Sequence, residues 1–254
     1  MRRLLRRLRK RPPARDRGDD RPVPASLLTV PIERPDGSHV TEFRSHERWQ
    51  QIAKQREGPD RTPRLRDLIK EQHHRIYFQP YMVGRDRVDF LVGQGLDRDT
   101  RLLDMGCGAG RLGVWLIGHL EAGRYFGLDA HLASLVAFSA YELRLHGLVD
   151  RRPRLMLDDG FHLAAFGETF DVIVDASVTA NVLEPVFRRA FTSMREVLAP
   201  DGRVFSARLT DEQQGWAEQL GWRVEQDWHL DYTLYRERHD GRPPGERQTL
   251  LRPA

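Results

Sequence analysis

The chain contains little cysteine, little lysine and no long apolar run. Cys107 is the single cysteine among 254 residues, so no disulfide can form within the chain, and such a content fits a reducing compartment. Its apolar runs are far shorter than the roughly 20 residues that span a bilayer. The basic start lacks the apolar stretch of about 7–15 residues typical of a signal peptide. We therefore expect a cytoplasmic protein, with contact to a membrane surface left open.

Positive charge is concentrated at the start of the chain. The formal net charge is +4, yet residues 2–11 alone hold seven arginine or lysine side chains and no acid. The remainder is slightly acidic, and its apolar residues are numerous enough for a packed core. We interpret residues 1–26 as a basic, disordered tail. The leucines at 4, 5 and 8 leave a short amphipathic helix as the alternative.

Three further segments follow the tail. Residues 27–97 predict a hairpin and a helical arm, because Pro35, Asp36 and Gly37 form a turn signal between two β-prone runs. Pro31 would confine the first strand of that hairpin to a sheet edge. Residues 98–240 predict the main domain, and residues 241–254 are interpreted as a C-terminal tail.

Strand and helix patterns alternate through the main domain, which predicts a parallel sheet with helices on both faces. Helices are expected at 111–120, 132–145, 183–198 and 211–220. Strands are expected at 102–105, 125–128, 154–157, 171–174, 203–207, 222–227 and 232–236.

A glycine-rich turn, LLDMGCGAGRLG (102–113), joins the first of these strands to a helix. Such a turn brings backbone N–H groups to the ligand-binding edge of a parallel sheet, and its glycines permit close approach of a ligand. A dinucleotide fingerprint would require glycines at 106, 108 and 111, but residue 111 is arginine. No Gly-Lys-Ser/Thr follows either, which excludes a Walker loop. Cys107 is interpreted as a small residue that fits within the turn.

The pattern Asp104-x-Gly106-x-Gly108-x-Gly110 resembles the first motif of class I S-adenosylmethionine-dependent methyltransferases, and the resemblance extends over roughly residues 75–210. It implies S-adenosylmethionine as cofactor. It also implies an α/β, Rossmann-like, doubly wound sheet of seven strands, mostly parallel with the last strand antiparallel, and an N-terminal helical arm. Asp104 would either orient the turn or contact the amino group of the cofactor.

Two further motifs imply the other cofactor contacts. In YFGLDAH (125–131), Asp129 would bind both ribose hydroxyls, and in LMLDDGF (155–161) an acid would bind the adenine amino group. Asp159 is the first choice for that acid and Asp158 the alternative, while helix N-capping is the other interpretation of such acids. The implied cofactor-binding set is Asp104, Gly106, Cys107, Gly108, Gly110, Asp129, Ala130, Asp158, Asp159, Gly160, Phe161 and Asp175.

The segment FDVIVDASVTANV (170–182) bears on the methyl acceptor. It lacks the Pro-Pro-aromatic sequence that follows the acid in many methyltransferases of nucleic-acid bases. Ser177 and Val178 resemble small-molecule members, but Asn181 stands where those have a histidine base. Asn181, as an orienting group, and His74 of the arm are the candidate catalytic residues. The sequence has no metal-ligand spacing, so no metal site is predicted.

These features favour O-methylation of a small-molecule or glycan- or lipid-linked acceptor. A weaker resemblance to bacterial methyltransferases of glycan biosynthesis supports this, and residues 2–11 would then contact an anionic membrane. Methylation of RNA or protein is an alternative, because basic arms bind phosphate backbones. A non-catalytic module that binds S-adenosylmethionine is a third hypothesis.

Overall fold

The computed structural model describes residues 22–24, 26, 28–44, 80–176, 178–231 and 246–254. β1 and β3 of this part pair with each other, and the eight other strands form one sheet. In chain order the strands are β1 (Pro22–Pro24), β2 (Ile32–Glu33), β3 (Glu42–Arg44), β4 (Leu102–Met105), β5 (Tyr125–Asp129), β6 (Arg154–Leu157), β7 (Phe170–Asp175), β8 (Leu198–Ala207), β9 (Trp222–Leu230) and β10 (Glu246–Pro253).

The large sheet has the order β2-β6-β5-β4-β7-β8-β10-β9. β10 runs antiparallel to both of its neighbours, and the other paired strands are parallel. From β4 the chain winds outward through β5 and β6, and then crosses to β7 and β8 on the other side. This switch opens a crevice at the carboxyl ends of β4 and β7, where such sheets bind ligands. The Rossmann-like prediction is confirmed, with eight strands in place of seven.

Helices cover both faces of the sheet. The main α-helices of the described residues are α1 (Pro80–Gly93), α2 (Gly113–His119), α3 (Leu132–Ala137), α4 (Glu184–Val197) and α5 (Asp211–Gln219). Within the same ranges, no helix combines the length and the apolar character needed to cross a membrane.

Each face of the sheet has its own apolar core. Successive residues of β4 point to opposite faces, so that Leu102 belongs to one core and Leu103 to the other. Leu116 and Phe138 cover the first core, and Phe191 of α4 covers the second. Because both faces are covered, the central strands consist of nearly continuous apolar residues.

The helical run predicted at 132–145 is interrupted by a π-helix, Phe138–Glu142. The N-terminal segment docks at this interruption. Ser139 Oγ accepts a hydrogen bond from the N–H of Val30 at 3.1 Å and donates one to its carbonyl oxygen at 2.6 Å. Thr29 donates its hydroxyl to the carbonyl of Ser139. The π-helix therefore lies where a distant segment supplies hydrogen-bond partners to the helix backbone.

Part of the predicted N-terminal arm belongs to the main sheet. The turn at Pro35–Gly37 is present, and the N–H of Val40 donates to the carbonyl of Ile32 at 2.9 Å. However, β2 also pairs with β6, and the Glu33 carboxylate receives two hydrogen bonds from Arg154 at 2.8 and 2.7 Å. β2 occupies a sheet edge, as Pro31 predicts, and it accounts for the eighth strand.

The prediction of a C-terminal tail at 241–254 is wrong for its second half. β10 inserts between β8 and β9, and Thr249 and Leu251 are fully buried. The polar start of β10 is buried as well, because Arg87 of α1 forms two hydrogen bonds with Glu246, at 2.6 and 2.7 Å. The strand predicted at 232–236 lies outside the described residues.

Candidate cofactor and acceptor site

The glycine turn follows β4 at the switch point of the sheet. Three of its glycines have left-handed backbones, with φ of 73° at Gly106, 55° at Gly108 and 82° at Gly110. The carbonyl of Leu128 at the end of β5 accepts hydrogen bonds from the N–H groups of Gly106 and Cys107, at 2.8 and 3.1 Å. The turn is thus fixed to the neighbouring strand in a conformation that favours glycine.

Two of these glycines are also required by close packing. A Cβ atom at Gly106 would overlap Cγ2 of Val178, and a Cβ at Gly110 would overlap the ring of Phe138. Phe138 is fully buried, so its ring has little room to move. The turn therefore lies directly between the segment that follows β7 and the helical run that follows β5.

Asp104 lies beneath the turn and is fully buried. Its Oδ2 accepts a hydrogen bond from the Tyr125 hydroxyl at 2.7 Å, whereas Oδ1 has no hydrogen-bond partner. Burial raises the pKa of Asp104 to about 7, although the Tyr125 bond opposes the shift. A buried carboxylate oxygen without a partner fits a cationic or N–H-donating ligand group above it.

Tyr125 belongs to the site, although the sequence did not indicate it. It begins β5 and pairs with Leu102, two residues before Asp104. Its side chain reaches past Gly127, where an added Cβ would lie 3.1 Å from the Tyr125 ring and 2.9 Å from Cys107 Sγ. Gly127 was the available signal in the sequence, because a glycine inside a strand often marks the close approach of another group.

Asp129 ends β5 and ties the glycine turn to it. Its Oδ2 accepts a hydrogen bond from the N–H of Gly108 at 2.8 Å, and its Oδ1 accepts one from the N–H of His131 at 2.7 Å. The carboxylate is half-buried, and the adjacent Ala130 is exposed. A carboxylate has about four lone-pair positions, so these two bonds leave capacity for a ligand.

The two adjacent acids after β6, Asp158 and Asp159, have different surroundings. Asp158 is buried, and it accepts hydrogen bonds from the N–H groups of Gly160 and His162 and from the His162 ring, at 2.7–3.0 Å. Burial acts to raise the pKa of Asp158, but these bonds bring it below its ordinary value. Asp159 is exposed and forms no hydrogen bond or ion pair with other described residues. Phe161 has a left-handed φ of 62°, a conformation that non-glycine residues rarely adopt.

Cys107 points into the core beneath the turn. Its side chain is buried against Gly127, and burial raises the pKa of its thiol well above the ordinary value. A thiol held in the neutral form is a poor nucleophile. In the structure, the Cys107 side chain fills space beneath the turn.

Asp175 ends β7 and is fully buried. One oxygen accepts hydrogen bonds from the N–H groups of Val178 and Thr179, at 2.8 and 3.2 Å. The other accepts from the hydroxyls of Thr179 and Ser206, the latter at 2.6 Å. Burial raises the pKa of Asp175, and the hydrogen bonds oppose that shift. All of its acceptor positions are used within the protein.

The structure describes one of the two candidate catalytic residues, Asn181. Asn181 is exposed and closes a short helical turn, Thr179–Asn181, at the same sheet edge as the glycine turn. Leu183, two residues further on, is 78% exposed. His74 and Ser177 lie outside the described residues.

Comparison with known proteins agrees with this fold. Residues 103–204 match the family described as a methyltransferase domain. An S-adenosylmethionine-dependent methyltransferase from Clostridium acetobutylicum ATCC 824 superimposes with a TM-score of 0.56 at 12% identity, over 81% of this chain and 99% of that one. Magnesium protoporphyrin IX methyltransferase from Synechocystis PCC 6803, with bound S-adenosylmethionine, gives 0.54 at 14% identity, over 82% and 90%. A glycopeptide N-methyltransferase gives 0.54 at 17%, over 68% and 94%.

The doubly wound sheet, with a glycine turn at its switch point, defines the protein as a Rossmann-like α/β protein with a cofactor crevice. Residues 103–204 of this fold match a methyltransferase domain, which indicates an S-adenosylmethionine-dependent methyltransferase with S-adenosylmethionine as its cofactor.

Proposed function

We propose that the glycine turn and three carboxylates hold S-adenosylmethionine. Asp104 has a buried oxygen available for the cofactor ammonium, and Asp129 retains lone pairs for the ribose hydroxyls. Asp159 has no partner among the described residues and is the preferred acid for the adenine amino group. Asp158 holds the conformation of its own loop, which supports its assignment as a structural residue.

We further propose that the acceptor is an oxygen of a small molecule or of a glycan- or lipid-linked compound. The observation that carries this proposal is the closed hydrogen-bond shell of Asp175. All four bonds to this carboxylate come from the protein, so it has no lone pair left to accept hydrogens from the exocyclic amino group of a nucleic-acid base. This disfavours methylation of such an amino group.

The remaining chemistry requires alignment of an acceptor atom. S-adenosylmethionine supplies an electrophilic methyl group on its sulfonium, so the protein mainly has to position a nucleophile in line with it. The amide of Asn181 can both donate and accept hydrogen bonds, and Asn181 is exposed in the short turn that follows β7. Leu183, two residues further along the chain, offers an exposed apolar side chain. Among the structural neighbours, one acts on a porphyrin by its name and another is named for N-methylation of a glycopeptide.

Transfer of labelled methyl into fractionated extract tests the acceptor class. We expect label in the small-molecule, lipid or glycan pools and none in the RNA or protein pools. Gly108→Val should abolish labelling, because a β-branched residue is strained at the left-handed φ of 55° that Gly108 has in the turn. Gly118→Ala is the matched control, since a Cβ there meets no atom within 4 Å. Label confined to RNA or protein would overturn the acceptor assignment, and full labelling by Gly108→Val would overturn the cofactor placement.

We also propose that residues 2–11 hold the enzyme at an anionic membrane. Each basic residue near such a surface contributes about 1 kcal/mol, and this segment holds seven of them. Deleting the segment should reduce binding to phosphatidylserine-containing vesicles at least about tenfold, as measured by sedimentation. Binding to neutral vesicles serves as the control. Unchanged binding to the anionic vesicles after deletion would refute the proposal.

A further inference from the structure

The segment after β7 is joined to the glycine turn by a chain of specific contacts. Asp175 pairs with Met105 on one neighbouring strand and with Ser206 on the other. Gly106 directly follows Met105, so the Asp175 carboxylate is one residue away in register from the first glycine of the turn. None of the described residues that donate hydrogen bonds to this buried carboxylate is a cation. Four hydrogen bonds stabilise it instead.

Those hydrogen bonds set the position of Val178. Its N–H donates to Asp175 at 2.8 Å, and its carbonyl accepts from the N–H of Asn181 at 3.1 Å. The next residue, Thr179, is held by both oxygens of Asp175, and its carbonyl accepts from the Gln213 side chain at 3.3 Å. The backbone on either side of Val178 is thereby fixed.

The Val178 side chain then fills the space beside Gly106. Its Cγ2 lies 2.2 Å from the position that a Cβ of residue 106 would take, so the valine methyl closes the side of the turn that glycine leaves open. Glycine has more backbone freedom than any other residue, and ordering it is correspondingly costly. A contact that excludes other conformations of Gly106 would prepare the turn for its ligand.

We infer that Asp175 is a positioning residue, which acts through Val178 to hold Gly106 in the conformation that binds S-adenosylmethionine. This inference builds on the cofactor placement proposed above. The sequence predicts a direct contact between Asp175 and the cofactor. We infer the positioning role in its place, because the Asp175 carboxylate has no free acceptor position. It also explains why two hydroxyls, of Thr179 and Ser206, are buried at the end of the sheet.

Affinity for S-adenosylhomocysteine, measured by isothermal titration calorimetry, tests the inference. Val178→Ala removes the methyl beside Gly106 and should weaken binding roughly tenfold through lost preorganisation. Val186→Ala is the matched control, because Val186 is also half-buried, packs against the same apolar core and loses the same atoms. It should lower the melting temperature without changing the affinity. Equal affinities of the two variants would overturn the inference.

A double-mutant cycle adds a readout that general destabilisation would not produce. Gly106→Ala should abolish detectable binding in the wild-type background, because its methyl overlaps Val178 Cγ2. In the Val178→Ala background the same substitution should weaken binding much less, since that methyl is gone. Additive effects on affinity would contradict the inference.

The acid itself can be tested by comparing two replacements. Asp175→Asn keeps an oxygen for the N–H groups of Val178 and Thr179, and its amide can donate to the two hydroxyls. It should therefore bind S-adenosylhomocysteine more tightly than Asp175→Ala, and equal affinities of the two variants would count against positioning by this side chain. If wild-type protein fails to bind S-adenosylhomocysteine, the cofactor placement fails; if it binds but the Val178 cycle is additive, only the present inference fails.

Discussion

Removal of residues 246–254 is expected to prevent the domain from folding. These residues include β10, which pairs along its length with β9 and over four residues with β8. Without β10, β9 loses its partner strand and the apolar groups beneath Leu250 and Leu251 become exposed. A dispensable tail would instead leave stability unchanged. Circular dichroism of the truncated protein, compared with a deletion of residues 2–11, distinguishes the two outcomes.

Two neighbouring substitutions in β10 provide a graded version of this experiment. Leu251 is fully buried, so Leu251→Ala should lower the free energy of unfolding by about 2–5 kcal/mol. Arg252 is at the surface, where its guanidinium pairs with Glu225 at 2.9 Å. Arg252→Ala should therefore cost less than about 1 kcal/mol. Urea unfolding measures both, and similar losses for the two variants would show that β10 is not part of the core.

The strands at the centre of the sheet could be predicted from sequence because both of their faces are buried. β4 and β6 occur at the predicted residues, β5 is one residue longer at its C-terminal end, and β7 is one residue longer at each end. A strand covered on both sides has to be apolar throughout, so its signal is local and strong.

β2 and β10 could not be predicted in the same way. β2 has two residues, too few for a periodic pattern. The first residues of β10, Glu246 to Gln248, have polar side chains, and such a sequence predicts an exposed segment. Glu246 is buried because it pairs with Arg87, which lies 159 residues earlier in the chain. Partners this distant leave no local pattern in the sequence.

For the acids of the site, too, the sequence predicts where they lie but not which groups they bind. Strand order alone brings the acids at 104, 129, 158 and 175 to one sheet edge, and the structure places all four there. Which donors each carboxylate meets depends on loop conformation. Asp158 is occupied by hydrogen bonds from its own loop and Asp175 by bonds from its own loop and from Ser206 of β8, whereas Asp104 retains an oxygen without a partner.

The stability of the protein should carry a pH dependence from Asp104 that Asp104→Asn removes. The pKa of this group is raised from 3.8 to about 7 in the folded state, so the folded protein binds the proton more tightly than the unfolded chain. Stability from this group is complete below pH 4 and is lost as pH rises to about 7. The stability of Asp104→Asn relative to wild type should therefore increase by about 3 kcal/mol between pH 5 and pH 8. Urea unfolding at the two values measures it, and a constant difference would contradict the assignment.

Cofactor affinity should show the opposite dependence on pH. The ionised form of Asp104 is unfavourable in the folded protein because it is buried with one oxygen unpartnered. A ligand ammonium beside that oxygen would favour ionisation, so binding should release a proton below pH 7. Affinity for S-adenosylhomocysteine should then rise roughly tenfold between pH 6 and pH 8 in the wild type. Asp104→Asn corrects for titration of the ligand itself and should show only that residual change. Identical pH profiles for the two proteins would show that the ammonium does not lie beside Asp104. The role of this carboxylate would then be to bind the Tyr125 hydroxyl.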